Sequence, residues 1–199
     1  MPTQADPLPL RQRQAAETRR RIAAAARELF RERGYGATTI AAIATRAGVA
    51  VPTIYKTFVN KPGVLAAIVE SWREEFVPGG FDSVPADGAA AIAWWARTAR
   101  QQWETGYDIA MIFAGAIASE PAVRQELAKR LRYRTAAVAR VAEAVAQAPR
   151  PRLPVPQAAA IISALTLPEV YRELVQDRGW SPDDYEAWIK QTLTQQLLA

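Results

Sequence analysis

Apolar residues recur at helical spacing along most of the chain, and that pattern predicts an all-α protein of about nine helices. Ile22, Ala25, Ala26, Leu29 and Phe30 trace one face of a helix over about 15–33, with arginines on its other faces and Gly34 to stop it. Ile40, Ile43, Ala44 and Ala47 follow at i, i+3, i+4, i+7 behind a hydroxyl residue, Thr39, which suits an N-cap. Gly48 can take the left-handed backbone that ends this short helix, and Val49 can plug the inside of the corner. A second short helix opens near Val51 with Pro52 in its first turn, and it buries Ile54 and Phe58. Asn60-Lys61-Pro62-Gly63 begins a fourth helix through Val64, Leu65, Ile68, Val69 and Trp72 to about Phe76, before a loop at Pro78-Gly79-Gly80 and Pro85.

The remainder reads as five more helices. One over about 89–104 presents Ile92, Trp95, Ala96, Ala99 and Trp103 on one face. The next, about 107–119, is apolar on most sides. A long one over about 121–148 is striped by Val123, Leu127, Leu131, Val138, Ala142 and Val145, and its Lys129, Arg130, Arg132 and Arg134 suggest a solvated face. Four prolines in 149–156 indicate a stiff linker without helix. Two helices follow, over about 157–178 and 181–198. Pro168 should kink or split the first, while Ser181, Pro182, Asp183 and Asp184 specify the start of the second.

Burial of Ile54 and Phe58 leaves Pro52, Thr53, Lys56 and Thr57 facing outward, with Tyr55 at the flank. Hydroxyls, short side chains and a cation without a carboxylate can enter a major groove without repelling phosphate. Charge agrees with this placement. Residues 1–61 carry eleven Lys and Arg against four carboxylates, a net +7, leaving −2 for the rest of a chain whose total is +5. The first fourteen residues hold three prolines and no periodic pattern, which predicts a flexible basic arm with Arg11 and Arg13.

Composition removes other functions. With no cysteine and no histidine in 199 residues, the chain lacks a thiolate nucleophile, the commonest general base and the commonest transition-metal ligands. It also lacks a glycine-rich phosphate loop, so no enzyme, metal or cofactor is expected. No apolar run approaches the roughly 18 residues of a membrane span, and no leader precedes the first helix, so a soluble cytoplasmic protein is expected.

The series Arg21-Ile22, Ala25-Ala26, Leu29-Phe30, Gly34-Tyr35, Ala37-Thr38-Thr39-Ile40, Ile43-Ala44, Ala47-Gly48-Val49, Thr53-Ile54-Tyr55, Phe58, Lys61 and Leu65 resembles the N-terminal domain of the TetR family of bacterial transcriptional regulators. The resemblance covers about fifty residues; the remaining two thirds carries no family motif. It implies a homodimer with a helix-turn-helix DNA-binding domain at 15–61 and a ligand-binding and dimerisation domain at 62–199. By position, Thr39 would touch phosphate, Val51, Pro52, Thr53 and Thr57 would face bases, and Tyr55 and Lys56 would grip the backbone or a base edge. Lys61 would contact phosphate at the start of the fourth helix, which would serve as a lever between the two domains. Ala41 and Val51 stand where members often have polar residues, so fewer direct base hydrogen bonds are available.

A ligand cavity needs bulky walls, for which Trp95, Trp103, Tyr107, Met111, Phe113 and Tyr133 are candidates, with Asp108 or Arg134 as polar orienters. Aromatic residues at this spacing also suit packed core. For a dimer interface the two terminal helices offer Ile161, Leu165, Tyr185, Trp188, Ile189 and Leu197, unless those helices only close their own core. The expected function is a ligand-responsive regulator, most often a repressor in such families, binding a double-stranded DNA operator and a small-molecule effector. The alternative is a constitutive dimeric DNA-binding protein without an effector.

Overall fold

The computed structural model describes residues 10–76, 83–117 and 120–199. The predicted loop at Pro78-Gly79-Gly80 and the first nine residues lie outside them. Among the described residues the chain forms nine α-helices and one π-helical segment, and it divides into two compact units.

The first unit comprises residues 10–73 with 112–117 and 120–123. Helix α1 (Leu10–Arg33) starts earlier than expected, so Arg11 and Arg13 ride on its exposed first turns. Helices α2 (Ile40–Ala47) and α3 (Val51–Phe58) have eight residues each, too short to persist alone, and stand by burying Ile43 and Ile54 completely, as α1 buries Ile22, Leu29 and Phe30. Each such aliphatic side chain contributes about 1.5–3 kcal/mol. Helix α4 (Lys61–Phe76) adds Val64, Leu65, Ile68 and Val69.

The second unit comprises 74–76, 83–111 and 124–199. Residues expected to form two helices are one, α5 (Gly88–Ile117). Gly106 costs about 1 kcal/mol relative to alanine, too little to break a helix anchored on either side of it by buried Trp103 and Ile109. Helix α6 (Pro121–Ala146) packs Val138, Val141 and Val145 into a core with Ile92 and Trp95 of α5; the side chains of Leu127, Lys129, Arg130 and Leu131 are outside those described.

Pro168 splits the next predicted helix. Helix α7 (Val155–Leu165) ends at Thr166, and α8 (Pro168–Tyr171) restarts with the proline in its first turn and widens into a π-helical segment, Arg172–Asp177. Helix α7 begins inside the proline-rich stretch, because Pro156 occupies a first-turn position where its missing N–H costs nothing. The rest of that stretch is fastened to the C-terminal residues, the Arg152 amide donating to the Leu197 carbonyl at 3.0 Å and the Ala199 amide to the Arg150 carbonyl at 3.2 Å. Helix α9 (Pro182–Leu197) opens on a reciprocal cap between Ser181 and Asp184, as the sequence predicts.

Candidate nucleic-acid interface

Local chemistry fixes the corner between α2 and α3. The Thr39 hydroxyl accepts the Ala42 amide at 3.1 Å, and Gly48 sits at φ 64° while its amide and that of Val49 close on the Thr45 and Ala44 carbonyls. Arg21 of α1 then donates from Nη2 to the Ala47 carbonyl at 2.7 Å. A guanidinium on the last carbonyls of α2 also complements the negative end of that helix.

Held this way, α3 turns Ile54 and Phe58 inward and leaves Pro52, Tyr55 and Lys56 exposed, with Val51, Thr53 and Thr57 half-buried beside them. Thr39 is exposed as well. The Thr57 hydroxyl donates to the Thr53 carbonyl at 2.7 Å, so what it can offer a partner is an acceptor lone pair and a methyl group. On the inner side the Arg19 guanidinium lies 4.8 Å from the centre of the Phe58 ring, adding a cation–π contact between α1 and α3.

Lys61 lies in a more internal setting than its expected role suggests. Its Nζ donates to the carbonyls of Tyr35 and Thr38 at 3.0 and 3.2 Å and sits 4.3 Å from the centre of the Tyr35 ring. The ammonium thus ties α4 to the segment joining α1 to α2. That segment is itself braced: the buried Thr38 hydroxyl bonds the Leu29 and Gly34 carbonyls, and the Tyr35 hydroxyl donates to Glu120. Burial and the Glu120 carboxylate push the Tyr35 phenol well above its ordinary value, so it remains a donor. Arg46, counted among the basic charge, is held by Glu28 and Glu32 of α1 at 3.0 Å each and contributes little to the outer field.

Between α3 and α4 stands Val59 at φ 66°, ψ −47°, with the Asn60 amide on the Phe58 carbonyl at 2.7 Å. This is a γ-turn of the strained, positive-φ hand. Asn60 next caps α4 through Oδ1 on the Gly63 amide at 2.8 Å. Arg21, Tyr35, Thr38 and Lys61 brace the helices of this unit; the sequence signals the first three only as spaced anchors without roles.

Residues 22–68 match the family model described as "Bacterial regulatory proteins, tetR family". Over that segment the chain is similar to the tetR family. Among curated proteins no sequence matches it. Its fold is that of several solved regulators. NalD of Pseudomonas aeruginosa, the secondary repressor of the MexAB-OprM multidrug efflux pump, is 19% identical with a TM-score of 0.74, covering 94% of this chain and 98% of that one. SmeT, solved in complex with triclosan, is 20% identical at 0.74, covering 92% of each. The regulator FadR of Bacillus subtilis, solved with stearoyl-CoA, is 19% identical at 0.72, covering 89% and 98%.

The other nominated residues have a mixed outcome. Trp95 and Trp103 are core: their indole N–H groups donate to the hydroxyl and the carbonyl of Thr166 at 3.3 and 3.1 Å. Tyr107 is half-buried against that core, whereas Met111 and Tyr133 are 40% and 58% exposed and Phe113 is buried in the first unit. Arg134, expected on a solvated face, turns inward onto Thr166. Tyr185, Ile189 and Leu197, expected at a dimer interface, are fully covered within the single chain, while Ile161, Leu165 and Trp188 are half-buried. Among the described residues no helix is long and apolar enough to cross a membrane, and no acidic cluster could hold a metal.

Proposed function

We propose that the chain is a ligand-responsive transcriptional repressor that binds a pseudo-palindromic DNA operator as a homodimer and is released by a small, largely apolar or aromatic molecule. The observation that carries this reading is the outward face of α3, where Pro52, Tyr55 and Lys56 stand exposed beside Thr53 on a helix whose other side is locked to α1. Thr39, Val51, Thr57 and Lys61 complete the proposed DNA contact set. Two such helices in a dimer would enter successive major grooves about 34–36 Å apart, or at a multiple of that spacing. Half-buried Ile161, Leu165 and Trp188, with Leu167 and Trp180 exposed nearby in sequence, are the surfaces proposed to pair.

An effector acts by its differential affinity for dimers of different half-site separation. The repressor NalD and the triclosan and stearoyl-CoA complexes of SmeT and FadR support this mode of action by likeness of fold. A constitutive DNA-binding dimer is favoured by one observation, the full satisfaction of the Trp95 and Trp103 indoles inside the core.

Selection of bound duplexes from random DNA tests the proposal. A two-fold repeated site should emerge, and Thr53→Glu should abolish binding to it in a mobility-shift assay while sedimentation still reports a dimer. Enrichment of no site, or retention of binding by the Thr53→Glu variant, refutes it.

A further inference from the structure

Val59 is an outlier in two respects. Among the described residues it is the one non-glycine at positive φ, 66°, whereas Gly34, Gly48 and Gly179 occupy the other such positions. A β-branched side chain is poorly suited to that backbone. It is also the most exposed large apolar side chain among the described residues, at 75%. Strain of this kind persists where the surroundings impose it, and burial of the side chain can offset it. Here burial offsets little.

The turn is held from both sides. The Val59 amide donates to the Tyr55 carbonyl at 3.0 Å, Phe58 before it is buried, and Asn60 after it donates to the Phe58 carbonyl at 2.7 Å while its Oδ1 caps α4 on the Gly63 amide at 2.8 Å. Val59 therefore continues the end of α3 that carries exposed Tyr55 and Lys56. Glycine would close the same turn without strain, so the fold does not account for the valine. A phosphate contact does not account for it either, because the side chain is uncharged and follows the negative end of α3. In a major groove one base presents an apolar group, thymine with its 5-methyl, and aliphatic side chains can read it.

We propose that Val59 is a specificity-determining residue, its isopropyl group packing against the 5-methyl of a thymine in each operator half-site. The inference rests on the DNA-binding reading above and extends its contact set past the end of α3. The strained turn holds the side chain out in the free protein, so the contact needs no rearrangement on binding.

Replacement of thymine by uracil in an operator selected from random DNA tests it, with the affinity of the full-length protein read by fluorescence anisotropy. Each uracil deletes one methyl group and leaves base pairing intact. At one thymine position, replaced in both half-sites, uracil should weaken wild-type binding about ten-fold. Val59→Ala should lose about as much on the thymine operator and be indifferent to that uracil. Val59→Gly should show the same loss of affinity at a raised melting temperature, a split that a purely structural valine would not give. The thymine contact is overturned if no uracil position separates the wild type from Val59→Ala, if the uracil penalty persists in Val59→Ala, or if that variant binds operator and unrelated duplexes more weakly by one common factor. If Thr53→Glu abolishes operator binding while Val59→Ala matches the wild type on both operators, DNA recognition stands and this inference falls. If selection enriches no site, the DNA-binding reading fails and the inference falls with it.

Discussion

Gly63→Ala sets helix propensity directly against close packing at the start of α4. In most helices this change stabilises, by about 1 kcal/mol. Here a methyl group at position 63 would stand 2.1 Å from the Phe58 carbonyl oxygen and 3.2 Å from its carbon. Non-bonded carbon and carbonyl oxygen ordinarily stay about 3.3 Å apart, so roughly 1 Å of movement is required. Neither neighbour is free to yield. The Phe58 oxygen accepts the Asn60 amide at 2.7 Å, and Asn60 Oδ1 caps the Gly63 amide at 2.8 Å. Overpacking costs about 1–3 kcal/mol and a lost cap about 1 kcal/mol. Set against the propensity gain, a net destabilisation of about 1–3 kcal/mol is expected. Urea unfolding of the full-length protein should show a lower midpoint at unchanged slope. Because the displaced atoms end α3, affinity for a selected operator should drop with it, although residue 63 is not in the proposed contact set. A variant as stable as the wild type would mean that propensity outweighs the contact and that α3 and α4 are not locked through this glycine.

Val59→Gly should act in the opposite direction: relief of a strained positive-φ turn, worth about 1–3 kcal/mol, exceeds the extra chain entropy of about 0.5–1 kcal/mol, and the 75% exposed valine gives up little burial. A lower urea midpoint would refute that balance. Thr166→Val removes the acceptor of the Trp95 and Arg134 bonds and should cost about 1–3 kcal/mol in the same assay; a neutral result would mean that these bonds add nothing beyond packing. Lys56→Ala should weaken binding to all duplexes alike and lower the slope of log affinity against log salt by about one. An unchanged slope would take Lys56 out of the phosphate contacts.

The helix-turn-helix corner was legible because its signals are local. Thr39 and Gly48 act on backbone within a few residues of themselves, and the spacing of Ile54 and Phe58 leaves only one face of α3 for solvent. What could not be read depends on contacts distant in the chain. Nothing near Lys61 says that the loop at Tyr35 and Thr38 will bring two carbonyls to its ammonium. Gly106 looks like a break until the buried residues around it make one long helix cheaper than two. Arg134 sits in a basic run and reads as solvated, yet the end of α7 draws it inward. An apolar stripe such as Tyr185, Ile189 and Leu197 has the same pattern whether it meets its own core or a second subunit; within the single chain it is completely buried.

The bonds from Lys61 to Tyr35 and Thr38, and from Tyr35 to Glu120, cross-link three separated stretches of the first unit. In the proposed dimer a head so braced would turn as a block. An effector would consequently change which spacer length between half-sites is tolerated, while the base preference within each half-site stays as it was.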